Sequence, residues 1–215
     1  MNFVFDFGAV LFTWKPADLL AETFPQQAHS AESASRLAQA MFDHADWNGF
    51  DQGLHSMEHV IASVSKRLGL DEQALSDLVT SIGERLLPIP QTVALLEQLH
   101  AQRSQRPDLR LYYLSNMPQP YARELEQRHA FLKWFDGGIF SSDVLHIKPN
   151  PTIYQLLQAR HGLDPAQTVF IDDLYANVQA ARAQGWHAIH FESPQQLQQE
   201  LAAFGLPDNA VLQPG

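Results

Sequence analysis

The sequence predicts an α/β fold: a mostly parallel sheet flanked by helices, with a small helical module inserted after the first strand. Three observations predict it. Short apolar runs alternate with segments of helical periodicity, which is the pattern of βαβ units. The stretch 16–86 breaks that rhythm and reads as several helices with no convincing strand. Polar residues close the apolar runs, where parallel sheets bind their ligands.

Residues 1–7 are rich in Phe and Val and too short for a helix, so they read as a buried strand. Further strands are expected at 109–115, 168–172 and 187–191, with a short one at 137–141. Between them, 91–102 carries Val93, Leu96 and Leu99 at helical spacing. The segment 152–161 stops at Gly162, and 175–184 stops at Gly185. Ser193-Pro194 makes an N-cap and first-turn pair, and the helix it opens is expected to end near Gly205. Pro88 and Pro90 mark the return from the helical stretch to the sheet. The chain therefore divides into a Rossmann-like α/β core, residues 1–15 with 87–215, and a helical insertion, residues 16–86.

A chain of 215 residues can build one domain with a good core, or a core plus a small inserted module. Its 45% hydrophobic and 18% charged residues are ordinary for a globular protein. The formal net charge of −10 and the lack of any Lys/Arg run argue against nucleic acid as partner. A small anionic substrate remains compatible, because a few local cations and a metal override the overall field. The absence of cysteine excludes disulfides, thiolate chemistry and Cys-type zinc sites. Asp6 interrupts the first apolar run, so neither a signal peptide nor a membrane span is expected, and the cytoplasm is the default location. Monomer and homodimer are both open.

The chemistry is expected at one rim of the sheet. Asp6 closes the first strand, Ser115 and Asn116 the second strong one, and Asp172 and Asp173 the third, while Lys148 precedes a helix start. Such a set suits a hard divalent cation and a phosphoryl group. Magnesium takes oxygen ligands and keeps several waters, so one or two carboxylates suffice. A carboxylate can attack phosphorus, and a lysine and a hydroxyl can hold the remaining oxygens.

Four segments carry a resemblance. Phe5-Asp6-Phe7-Gly8-Ala9-Val10-Leu11, Leu114-Ser115-Asn116, Lys148-Pro149-Asn150-Pro151 and Phe170-Ile171-Asp172-Asp173-Leu174-Tyr175-Ala176-Asn177 resemble, in order, the four motifs of the haloacid dehalogenase superfamily. Each is common alone; their order and strand-end positions are specific. The subgroup it looks most like includes soluble epoxide hydrolase N-terminal domains and glucose-1-phosphate phosphatases. The resemblance implies a Mg²⁺-dependent phosphatase acting on a small phosphorylated metabolite such as a sugar phosphate. It implies Asp6 as nucleophile and metal ligand, the Gly8 carbonyl and Asp173 as further ligands, and Asp172 in support. Ser115, Asn116 and Lys148 would bind phosphate, with Lys148 also counted as catalytic. The core would be the hydrolytic domain and the insertion its cap.

Two positions depart from the pattern. Most family phosphatases carry a second Asp two residues after the nucleophile as general acid and base; here it is Gly8. Leu145 stands where relatives often carry Gly, three residues before the lysine. Two other functions stay open: a metal-free 2-haloacid dehalogenase, against which the Asp172–Asp173 pair argues, and a non-catalytic binding protein of the same fold. Asp172 and Asp173 could simply cap a helix. Asn177 could be a surface residue. Trp47 fits packing between insertion and core better than a substrate platform, and Phe12 and Trp14 fit core or pocket. His44, His129 and His161 read as surface or capping residues.

Overall fold

The computed structural model describes residues 1–206. The chain opens with β1 (Asn2–Phe5) and then runs through five helices: α1 (Pro16–Thr23), α2 (Ala31–Phe42), α3 (Ala45–Asp51), α4 (Met57–Leu68) and α5 (Glu72–Arg85). Next come α6 (Pro90–Gln102), β2 (Arg110–Ser115), α7 (Gln119–Arg128), β3 (Gly137–Phe140) and α8 (Pro151–His161). The chain continues with β4 (Thr168–Asp172), α9 (Tyr175–Ala183), β5 (His187–His190) and α10 (Pro194–Ala202). All five strands pair in parallel, in the order β3-β2-β1-β4-β5, so β1 is central.

Successive strand residues point to opposite faces, and both faces here are covered, which explains the unbroken apolar runs. Phe3 and Phe5 share one face with Leu95, Leu96 and Leu99 of α6 and with Leu197 and Leu201 of α10. Val4, Leu114 and Phe170 face the other way, onto Ile153 and Leu157 of α8 and Ala181 of α9. Fully burying a side chain such as Phe3 stabilises the fold by roughly 1.5–3 kcal/mol.

The insertion helices are closed by local chemistry. Ser30 and Ser33 form a reciprocal capping box at α2, Ser56 caps α4, and Asp71 caps α5. Gly69, at φ 65°, ends α4 in the left-handed region that glycine adopts without strain. The entry and exit segments of the insertion run side by side. Thr13 N–H donates to the Leu87 carbonyl at 2.7 Å, and Ile89 N–H to the Leu11 carbonyl at 2.8 Å, around a bridge between Phe12 and Pro88.

Two elements differ from the sequence expectation. Helix α7 fills the β2–β3 crossover, where a stripe of only Tyr121, Ala122 and Leu125 is buried and the other residues are mostly polar. So narrow a stripe gives little periodicity to read. Helix α10 stops at Ala202, and the chain turns to Gly205 at φ +90°. Among the described residues, no helix is long and apolar enough to cross a membrane.

Chain order places the site. From β1 the sheet grows outward to β3, then resumes at β4 on the other side of β1. Ligands of open α/β sheets bind beyond the strand carboxyl ends where the winding reverses.

Candidate active site

Asp6 directly follows β1, held between a backbone hydrogen bond from its N–H to the Ile171 carbonyl at 2.9 Å and one from Phe7 N–H to its own Oδ1 at 2.7 Å. The Lys148 ammonium bridges two carboxylates, 2.9 Å from Asp6 Oδ1 and 2.6 Å from Asp172 Oδ2. Asp172 is fully engaged elsewhere too. Its Oδ1 accepts from Leu174 N–H at 2.8 Å, and Asn177 Nδ2 donates to both of its oxygens. Asp172 thus braces the turn that leads into α9 and holds Lys148 at once. Asp173 completes the group: one carboxylate oxygen from each of Asp6, Asp172 and Asp173 lies within 4.8 Å of the others.

The lysine loop is clamped from motif two. Asn116 Nδ2 donates to the Lys148 carbonyl at 3.0 Å, and Asn116 Oδ1 accepts from Lys148 N–H at 2.8 Å. The loop turns through Leu145 at φ 61°, in the left-handed region that disfavours a branched side chain. That geometry is the reason a glycine suits position 145. Ser115, buried at the end of β2, lines the same cavity.

Burial pushes the Asp6 carboxyl up to about 7; Lys148 opposes the shift, and Asp172 and Asp173 add to it. Burial and Asp172 raise Asp173 to about 6. Burial alone would lower Lys148, but Asp172 and Asp6 outweigh it and raise its affinity for the proton. Three carboxylates thus share a single ammonium, and the excess of negative charge is what protonation, or a bound cation, relieves.

Above this floor lies a cavity of about 370 Å³, walled partly by the insertion. An edge-on chain of rings runs Trp14–Phe42–Trp47–Phe50–Tyr121, from the loop after β1, through the insertion, to α7. Trp47 therefore packs and lines the cavity at once, while Trp14 lines it and Phe12 is fully buried against Phe7 and Phe131. Polar contacts tie insertion to core: Tyr121 Oη donates to the Val79 carbonyl at 2.7 Å, and Ser141 Oγ donates to the Asp51 carbonyl at 2.5 Å. His44 caps α3, whereas His129 and His161 pack with tilted rings against Phe12 and Tyr112.

The structure brings together Asp6, Gly8, Ser115, Asn116, Lys148, Asp172 and Asp173 at one rim. It adds three residues. Asn177 is buried and holds Asp172. His190, the last residue of β5, hydrogen-bonds the Asp173 carbonyl at 2.8 Å. Asp51 lines the cavity from the insertion. Asn177 closes the fourth motif and Asp51 opens the Asp-x-Gly of Asp51-Gln52-Gly53, whereas His190 had no sequence signal.

Fold and rim define an α/β enzyme with an acidic, lysine-bridged centre. The chain belongs to the haloacid dehalogenase-like hydrolase family, whose profile matches residues 3–185. It is 26% identical over 188 residues to a sesquiterpene phosphatase of Aspergillus oryzae, covering 87% of each chain. It is 32% identical over 96 residues to a phosphoglycolate phosphatase of Salmonella typhi, a match that spans 45% of this chain and 36% of that one. Among solved structures, a family enzyme of Bacteroides thetaiotaomicron in complex with magnesium and inorganic phosphate superposes with a TM-score of 0.65 at 19% identity, over 89% of this chain and 93% of that one. The L-2-haloacid dehalogenase of Xanthobacter autotrophicus, with chloropropionic acid covalently bound, gives 0.65 at 20% identity, over 96% and 84%.

Proposed function

We propose that this hydrolase is a Mg²⁺-dependent phosphomonoesterase working through an aspartyl-phosphate on Asp6. The observation that carries the reading is the lysine bridge, Lys148 within 2.9 Å of Asp6 and 2.6 Å of Asp172, beside a third carboxylate. The three carboxylates are hard oxygen donors close enough to share one small cation, so the residues fit magnesium. Asp6 and Asp173, with the Gly8 carbonyl, would hold it. Bound there, the ion would offset the repulsion between the carboxylates and an anionic substrate.

The protein's own groups divide the remaining work. Asp6 attacks phosphorus, and the new bond replaces the one to the leaving oxygen. Lys148 and the Ser115 hydroxyl bind the other phosphoryl oxygens. Asp172 and Asn116 position Lys148, one from its ammonium and one from its backbone. The insertion acts as a cap that shields the site from water.

The cavity wall narrows the substrate. Trp14, Phe42, Trp47, Ile82 and Leu86 line it, Lys148 is the cation among the lining residues, and Asp43 and Asp51 stand on the wall. A second anionic group on the substrate would find no further cation among those lining residues to pair with. The best fit is a single phosphoryl group on a neutral, partly apolar body, in line with a relative named for sesquiterpenes. A dehalogenase reading has structural neighbours in its favour, but the Asp172–Asp173 pair favours a metal.

A panel of phosphomonoesters tests this. Magnesium should stimulate phosphate release, an isoprenyl monophosphate should exceed phosphoglycolate in kcat/KM, and Asp6→Asn should abolish turnover while remaining folded. Chloride release from a 2-haloacid in the presence of a chelator would overturn the reading.

A further inference from the structure

Gly8 stands where most family phosphatases carry their second Asp, and it has no proton to give the leaving group. A Cβ built at Gly8 would meet only Trp14, at 3.9 Å, so the backbone leaves room there and the chain puts no acid in it. A side chain that supplies the proton would have to stand elsewhere on the cavity wall. Asp6 is committed to attack. Lys148 is held by two carboxylates. The Tyr121 hydroxyl donates to Val79. Two carboxyls from the insertion remain among the lining residues, Asp43 and Asp51.

Asp51 is the one tied to the catalytic floor. It ends α3, and its carbonyl accepts from Ser141 Oγ, which itself accepts from Met117 N–H at 2.8 Å, two residues after Ser115. Two residues on, Gly53 at φ +75° packs so closely on Ser142 that a Cβ would stand 2.7 Å from the Ser142 carbonyl oxygen. This docking fixes Asp51 against the loop after β3 while it lines the cavity that contains Asp6. The fields of Asp6 and Lys148 both reach its carboxyl.

Resting on the phosphatase reading above, we propose that Asp51 protonates the leaving-group oxygen and so supplies the acid–base function that Gly8 lacks. As an Asp6 oxygen bonds to phosphorus, the bond from phosphorus to the leaving oxygen breaks and the Asp51 proton passes to that oxygen. The Asp51 carboxylate then takes a proton from the water whose oxygen bonds to phosphorus. The Asp6–phosphate bond breaks, inorganic phosphate leaves, and Asp51 is again an acid. Burial, with Asp6 adding and Lys148 opposing, pushes the Asp51 carboxyl up to about 8, so it holds a proton at neutral pH, as a general acid must.

The test compares wild-type and Asp51→Asn with Mg²⁺ on two esters. An alkyl phosphate has a leaving group that needs a proton; p-nitrophenyl phosphate has one that does not. The variant should lose about 100-fold or more in kcat/KM on the alkyl ester and less than about 5-fold on the aryl ester. A structural role would lower both equally, and that result overturns the proposal. A second readout needs no turnover. Folded, Asp51 keeps its proton to about pH 8; unfolded, it releases it near 3.8. Wild-type therefore loses stability from this group as pH rises between those values, and Asn does not. Facing groups are Asp6, Lys148, Tyr121 and Asp43, present in both proteins. The Tm advantage of Asp51→Asn should grow from pH 5 to pH 8 in metal-free protein; a constant difference overturns the proposal. A wild-type enzyme with no metal-stimulated turnover of any ester would remove the phosphatase reading and this one together, whereas an active wild-type with equal losses removes this one alone.

Discussion

Lys148 is a buried cation whose two partners stand at the ends of different strands. Removing it leaves Asp6 and Asp172 facing each other without a counter-charge, the situation in which breaking a buried pair is costly. Lys148→Met should abolish activity and lower metal-free stability by about 3–5 kcal/mol, read from urea denaturation. At this scale much of the candidate site was legible in the sequence. Asp6, an unexpected charge closing an apolar run, the acids at another strand end and the lysine before a helix start had to meet once the strands ran parallel. The role of Asn116 was not legible. Its motif suggests phosphate binding, but its side-chain amide brackets the Lys148 backbone, a pairing across 32 residues that no local pattern encodes. Asn177, which the fourth motif includes, could equally have been a surface residue, and His190 was hidden: their partners, Asp172 and the Asp173 carbonyl, are defined by tertiary placement.

Between elements, the decisive contact is the one by which α3 and the turn after it dock on the loop following β3. Gly53 permits it twice over, by its positive φ and by its lack of a Cβ. Gly53→Ala should cost about 1–3 kcal/mol in strain and lower kcat/KM by shifting Asp51, measured by thermal unfolding and by steady-state kinetics. Elements whose faces are wide or fully buried were readable, as β1 and α6 illustrate. Helix α7 was not, because its apolar stripe is narrow and its prolines resemble loop punctuation. Its contribution is tertiary: Tyr121 reaches from α7 to both Phe50 and Val79 of the insertion.

For the molecule as a whole, the excess of carboxylates would make any cation bound there a contributor to stability. Magnesium at a hundred times its Kd should add about 2.7 kcal/mol to stability, seen as a rise in Tm, and Asp173→Asn should remove most of that rise. The helical insertion raises a different matter. Its first and last residues leave the core side by side, paired through Thr13 with Leu87 and Leu11 with Ile89. To the sheet, the insertion is a closed loop whose two feet stand on one spot. Its length is then nearly irrelevant to the core, since doubling a loop costs only about 0.6 kcal/mol in closure entropy. Such a socket accepts replacement: a different module seated between the same two feet would change what the chamber admits while Asp6 and Lys148 stayed where they are. Diversification of substrate range by exchange of one segment is thus built into how that segment is attached.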